Sequence, residues 1–314
     1  MNLKTFLNFT RIQTLPAGLM APIAGVLFAL YRFQSFHLLP TLLFFIGMIA
    51  INLFVSAWNN LMDFYKAKDP DYKARENIIA NRHIKPSLAL KICLLLLAID
   101  LIVGIWVVCL TNLAILPVGG IGFLIAVFYT YGPFAFSRFP LGEVLAGLCE
   151  GAIAFFMALY VNSYQANYFN IHFHGWLMNW RMDWAQLFPI ILIALGCFCQ
   201  NFNVMFADNI CDLDQDVRNE RFTLPWYLKI PRALKLFPWF YVLSALTELM
   251  AIFWGILPLW SLIILLTWPF VFLNVRKFLA HPDKHTTFGL SVRNLMLYNG
   301  ALALGLLLGV LSRG

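Results

Sequence analysis

Asparagine and aspartate recur at one spacing in two distant stretches of the chain. The first reads Asn52-x-x-Val55-x-x-x-Asn59-Asn60-Leu61-x-Asp63; the second reads Asn201-x-x-Val204-x-x-x-Asp208-Asn209-Ile210-x-Asp212. Residues four apart on a helix are offset by only about 40°, so Asn59 and Asp63 share a face. Asp208, Asp212 and Asp216 form a second carboxylate stripe, and Asp214 points elsewhere, into solvent. Acidic residues after an apolar run are most simply a hydrated loop. A register used twice, with Asn at membrane depth, favours a site instead, because polar groups are costly in hydrocarbon and tend to be functional. Two such stripes facing each other across a cavity would hold divalent cations and, through them, a polyanion.

The elements that must position them are membrane helices. Of 314 residues, 61% are hydrophobic and 12% charged, against about 25% charged in soluble domains. Many apolar runs reach the roughly 20 residues that cross a bilayer as helix, and strands of the barrel type are absent, so helices are the spanning option. The fold class expected is an all-α polytopic membrane protein, one domain over 1–314. Nine transmembrane helices, near 14–31, 38–62, 88–110, 113–130, 141–162, 187–208, 232–254, 257–279 and 288–311, are expected to surround a central cavity. With these spans nineteen of the 22 Lys and Arg residues fall on one side, and only Arg32, Arg181 and Arg313 on the other. The positive-inside rule then places the protein in the cell membrane with its N-terminus and both acidic stretches cytoplasmic. The net charge of +7 is thereby a topology signal and needs no nucleic acid as partner. No A-x-A-like cleavage site follows the start of the chain.

Several other residues bear on the site. The loop 63–87 mixes Asp63, Asp69, Asp71 and Glu76 with cations. Glu143 and Glu150, two helical turns apart, are both expected toward the bundle interior, unless Glu143 only complements its helix dipole. Asp100 and Glu248 are lone acids within spans and take no assigned role. The six cysteines lack zinc-like spacing and read as small hydrophobes, not as disulfides. His172-x-His174 lies in an aromatic loop, 163–186, where a hydrated pair among interfacial aromatics is favoured over a metal site.

Carboxylates repel phosphates, but Asp clusters hold Mg²⁺, which typically takes one or two carboxylates and completes its shell with substrate phosphates. Lys and Arg neutralise the remaining charge of a diphosphate, and an apolar bundle receives a hydrocarbon tail. Together these describe a polyprenyl diphosphate, whose ionisation a Lewis acid assists and whose allylic cation an electron-rich ring captures if water is excluded. A secondary transporter would place acids at the midplane on inverted repeats; here they cluster at one face. A non-catalytic lipid-binding relative would have no use for two carboxylate stripes.

With Arg11-x-x-Thr14-Leu15-Pro16, the two motifs resemble the UbiA superfamily of intramembrane aromatic prenyltransferases, over nearly the whole chain. Tyr129-Thr130-x-Gly132-Pro133, Leu141-Gly142-Glu143 and Arg221-x-Thr223-Leu224 look most like the 1,4-dihydroxy-2-naphthoate polyprenyltransferases of menaquinone synthesis. The resemblance implies a nine-helix bundle, Mg²⁺ dependence, an aromatic acceptor that loses its carboxyl group, and a quinone precursor as product. Carried over by position, it implies that Asn59, Asp63, Asp208 and Asp212 hold Mg²⁺ and diphosphate, with Asp69 and Asp216 as further ligands. Lys66, Lys68, Arg75 and Arg221 would meet diphosphate charge, and Tyr129 and Arg138 would orient the acceptor or the diphosphate. Three positions depart from the pattern: Asn60 stands where Asp is usual, the Gly near Ala67 is missing, and Asp208 replaces a common Asn.

Overall fold

The computed structural model describes residues 1–68, 77–174 and 177–313. Helices dominate: α1 (Leu3–Phe9), α2 (Ile12–Phe33), α3 (Leu38–Lys66), the single turn α4 (Ile78–Asn81), α5 (Pro86–Leu110), α6 (Ile115–Phe128), α7 (Gly142–Ala166), α8 (Trp184–Cys211), α9 (Leu213–Arg218), α10 (Leu224–Leu228), α11 (Ile230–Phe253), α12 (Leu259–Ala280) and α13 (Phe288–Leu311). Among the described residues, eight helices (α2, α3, α5, α7, α8, α11, α12 and α13) are long and apolar enough to cross a membrane. The chain is thus an all-α multi-pass membrane protein, but the expected count of nine long spans is corrected to eight. The ninth, α6, has 14 residues and at 1.5 Å per residue extends about 21 Å, short of the roughly 30 Å hydrocarbon core. It stops where Tyr129 and Gly132-Pro133 turn the chain, and the Lys66 ammonium donates to the Thr130 and Gly132 carbonyls there, at 3.0 Å each.

Within the bundle α2 packs on α7 and α13, α3 on α5, and α8 on α7, α11 and α13. Leu95, Ile102, Phe253, Leu259 and Phe272 are among the large apolar side chains left outside, as a lipid-facing surface requires. Small residues let backbones approach, the usual device between membrane helices. A Cβ added at Gly25 in α2 would lie 2.3 Å from the Phe155 carbonyl oxygen of α7. Gly25→Ala is therefore expected to cost about 1–3 kcal/mol, the scale of overpacking, and to lower the melting temperature in detergent with no loss of polar contacts. All six cysteines are free.

The loop expected at 163–186 instead carries an antiparallel hairpin, β1 (Phe169–His174) on β2 (Leu177–Met182), with Phe169 opposite Met182. The alternation Phe169-x-Ile171-x-Phe173 is a strand period. The side chains of His172 and His174 lie outside what is described. The hairpin joins the ends of α7 and α8 remote from the acidic motifs, and so marks the opposite end of the bundle.

Candidate active site

Both motifs close helices that run in the same direction. Asn59 and Asp63 occupy the last turns of α3; Asp208 lies near the end of α8, and Asp212 follows it. The segments just beyond them touch: the Lys68 backbone N–H donates to Asn219 Oδ1 at 3.0 Å. Asn59, Asp63, Asp208, Asp212 and Asp216 all line the mouth of one cavity of about 1290 Å³. This exceeds the roughly 300–1,000 Å³ of ordinary small-molecule pockets. The wall reaches down α3 to Leu43 and Phe44 and meets Val107 and Ile115. Twenty residues separate Asp63 from Leu43, so the chamber runs about 30 Å along the bundle. Its depth is mostly aliphatic and aromatic; the polar exceptions include Asn52, Asn201, Glu150 and Asp100, the last set against Gly47 (a Cβ there would lie 3.2 Å from Asp100 Oδ1).

A cation already sits between the carboxylates of the second motif. Lys284, in the loop before α13, places its ammonium 2.5 Å from both Asp208 Oδ1 and Asp212 Oδ2. Burial works against that ammonium, but Asp208 and Asp212 more than offset it and hold its pKa above the ordinary value. The Asp212 carboxyl is pushed up, by burial first and by the like charge of Asp208 second. Burial likewise pushes Asp216 up to about 7, against the pull of Arg221, whose Nε lies 3.4 Å from Asp216 Oδ1. The second oxygen of Asp216 and Oδ1 of Asn59 are buried without a hydrogen-bond partner among the described residues.

Among the described residues no three acidic, His or Cys side chains converge as a ready-made metal cage. The donors nevertheless suit Mg²⁺. They are all oxygen, one is an orphaned amide oxygen, and two are carboxylates already gathered around a positive charge. Magnesium needs only one or two carboxylates when phosphates complete its shell.

The remaining candidates divide. Arg221, Arg138 and Tyr129 line the cavity, as do Arg11 and Arg218. Tyr129 is buried, its hydroxyl donating to the Gly142 carbonyl at 3.3 Å. Lys66 and Lys68 are engaged elsewhere: Lys66 on the two carbonyls after α6, Lys68 in an exposed ion pair with Glu220, and neither lines the cavity. Asp69 and Arg75 lie outside the described residues. Asp214 is exposed at the cavity rim. Lys284 was not singled out by the sequence; nothing in its local spacing marks it, since it meets the motif only through the fold. Glu143 does not face the cavity. It is fully buried and accepts from Asn209 Nδ2 at 2.7 Å and from the Leu224 backbone N–H at 3.2 Å. Glu248 is buried in α11, apart from the cavity.

Comparison with known proteins agrees with this arrangement. A model of the UbiA prenyltransferase family matches residues 19–311. The chain is similar to the 1,4-dihydroxy-2-naphthoate octaprenyltransferase of Bacillus subtilis (strain 168), 22% identical over 222 residues, 69% of this chain and 63% of that protein. It thus spans somewhat under two thirds of that relative's length. The fold resembles a UbiA homolog from Aeropyrum pernix K1 (TM-score 0.68, 16% identity, covering 92% of this chain and 97% of the other). It also resembles a UbiA homolog from Archaeoglobus fulgidus bound to DMAPP and Mg²⁺ (TM-score 0.56, 16% identity, 95% and 99% covered). Matched along nearly its whole length, with two acidic motifs at the mouth of a membrane-embedded chamber, the chain belongs to the UbiA prenyltransferase family.

Proposed function

We propose that this protein transfers a polyprenyl group from an allylic polyprenyl diphosphate to an aromatic acceptor, 1,4-dihydroxy-2-naphthoate, in the synthesis of (demethyl)menaquinone. One observation carries the transfer reaction: two acidic motifs remote in sequence line one mouth of an apolar chamber about 30 Å deep. The Bacillus subtilis relative supports the acceptor. The strong bias of cations to the motif end supports a cytoplasmic mouth.

Asn59, Asp63, Asp208 and Asp212 would hold Mg²⁺, with Asp216 beside them, and the archaeal homolog bound to DMAPP and Mg²⁺ supports that choice of ion. Bound there, the metal supplies Lewis-acid stabilisation of the departing diphosphate. Arg221, Arg138 and Arg11 line the same mouth and meet the charge that the metal leaves over. The apolar wall takes the tail and keeps water from the allylic cation. Tyr129, buried beside the mouth, would help to orient the acceptor or the diphosphate.

Purified protein in lipid nanodiscs, given radiolabelled polyprenyl diphosphate, Mg²⁺ and a panel of hydroxylated aromatic acids, is expected to yield a prenylated, decarboxylated naphthol, identified by mass. Products only from other acceptors would refute the naphthoate assignment, and no labelled product would refute transfer itself.

Lys284 is expected to compete with the metal. Removing it in Lys284→Gln takes away the resident cation, and the midpoint of Mg²⁺-dependent thermal stabilisation should fall about 10-fold, or roughly 1.4 kcal/mol. An unchanged midpoint would mean that the lysine and the ion do not share the carboxylates.

A further inference from the structure

About 10 Å below the acidic mouth the chamber has a second polar layer. Asn52 precedes Asn59 by seven residues in α3, and Asn201 precedes Asp208 by seven in α8, each about 10 Å deeper at 1.5 Å per residue. Helix α7 runs the other way. Glu150 follows Glu143 by seven residues, and Glu143 is bonded to Asn209 beside the mouth. Asn52, Asn201 and Glu150 all line the cavity. Glu150 and Asn201 are tied to one point of α8. Asn201 Nδ2 donates to the Cys197 carbonyl at 3.0 Å, and the same oxygen lies 2.5 Å from where Gly151 would carry a Cβ.

Acceptors outnumber donors in this layer. Asn52 spends its amide N–H on the Met48 carbonyl at 2.8 Å, as Asn201 does on Cys197. Each keeps its Oδ1 and one N–H, and the Oδ1 of Asn52 faces Gly18, where a Cβ would come within 2.5 Å. Glu150 has no hydrogen-bond or ion-pair partner among the described residues. Two amide oxygens and the two oxygens of a carboxylate thus face the chamber against at most one remaining N–H on each amide. The Glu150 carboxylate is open to the chamber and has no partner within the protein among the described residues, so a ligand entering at this depth meets it best by bringing hydrogen-bond donors. A prenyl tail has none, and a diphosphate has only acceptors when ionised. A phenol or hydroquinone brings O–H groups. The backbone marks the same place: residues 147–153 are π-helical, and such segments are frequent at functional sites.

We propose that Asn52, Asn201 and Glu150 receive the hydroxyl groups of the aromatic acceptor, and that the Glu150 carboxylate takes the phenolic proton as the ring attacks. This rests on the prenyl-transfer reading above. In the step, the C1–O bond of the prenyl diphosphate breaks and its electron pair leaves with diphosphate. The ring carbon beside the hydroxyl forms the new C–C bond to C1, while the O–H proton passes to Glu150. The ring becomes aromatic again when the alkylated carbon sheds its substituent, as CO₂ from a carboxylate or as a proton to the departing diphosphate. Glu150 then returns its proton to the oxygen. The side chain of Glu150 leans toward the start of its helix, as helical side chains do, and so toward the mouth where C1 lies. Asn52 and Asn201 act as positioning residues.

The test uses the full chain in nanodiscs, with geranylgeranyl diphosphate as donor and two acceptors, a dihydroxynaphthoate and its more acidic ring-fluorinated analogue. Glu150→Gln keeps the shape and removes the base. Transfer to the ordinary acceptor is expected to fall about 100-fold, the lower end for general-base catalysis. The loss should shrink to about 10-fold or less with the acidic analogue, and Glu150→Asp should recover part of the rate. Binding of a thiolo-diphosphate donor analogue with Mg²⁺ should stay within about 2-fold of the parent protein, which also verifies folding. Asn201→Ala should raise the acceptor KM about 10-fold with a smaller change in kcat. Equal losses for both acceptors, an unchanged rate, or a parallel loss of donor binding would overturn the assignment. If the parent protein binds no donor, the prenyl-transfer reading fails and this one falls with it.

Discussion

Asp63→Asn and Asp212→Asn, made singly, are each expected to lower prenyl transfer at least about 1,000-fold, which is about 4 kcal/mol on the barrier. Each change removes one negative charge and one hard oxygen ligand from the mouth of the chamber while keeping the side chain's size. The charge matters more than the contact. A diphosphate approaching this mouth meets Asp63, Asp208, Asp212 and Asp216, and without cations held by those carboxylates it is repelled. The loss should appear in kcat and in the affinity for donor together, because the same ions bind the diphosphate and stabilise it as it leaves. The fold should survive. Asp212 lies beyond the end of α8, and its ion-pair partner Lys284 still has Asp208 at 2.5 Å. Rates of transfer under donor saturation, with melting curves beside them, check both halves. A variant that melts normally and retains a tenth of the parent rate would remove that residue from the metal site.

How much of this was legible follows from what each residue depends on. The two motifs were legible because they are local: helical spacing alone puts Asn59 with Asp63, and Asp208 with Asp212. Asn60 looked like a lost carboxylate. It is buried away from the cavity, donates from Nδ2 to the Phe9 carbonyl at 2.8 Å, and accepts from Arg11 Nη2 at 3.2 Å. A carboxylate could not make the first bond, so Asn60 ties α1 to α3. Glu143 and Glu150, seven residues and nearly two turns apart at a period of 3.6, are expected toward the bundle interior, and both lie there. Their different surroundings are not legible in that spacing: the segment Gly147–Ile153 is π-helical and shifts the period, with one acid clamped to Asn209 and the other in the chamber. The resemblance implies Lys66 as a diphosphate ligand, yet the Thr130 and Gly132 carbonyls compete for its ammonium and hold it. Lys284 depended wholly on tertiary folding, since the loop before α13 reaches the end of α8 only when the bundle closes. The short α6 failed as a ninth long span because hydropathy reports how apolar a segment is, and not where its backbone turns.

Exhaustive chelation should abolish transfer, by at least about 1,000-fold, and readdition of Mg²⁺ should restore it. The same treatment should leave the bundle folded, with only a small shift in melting temperature. These two outcomes differ because Lys284 can do one of the metal's tasks but not the other. Its ammonium between Asp208 and Asp212 bridges two carboxylates that would otherwise repel each other in a partly buried site and offsets part of their charge, so the metal-free protein is expected to remain stable. A single charge on a flexible stem cannot coordinate phosphate oxygens while also bound to both carboxylates, and it brings one positive charge where a departing diphosphate develops more. On this reading Lys284 would leave the carboxylates for the metal to be held there, and its ammonium would be free to meet diphosphate charge. Chelated Lys284→Gln protein lacks both cations. Its melting temperature should fall further than that of chelated parent protein, by several degrees for about 1 kcal/mol, and Mg²⁺ should reverse the difference. If chelated parent protein and chelated variant melt together, the lysine does not stand in for the metal; if chelated parent protein turns over at full rate, no metal serves the reaction.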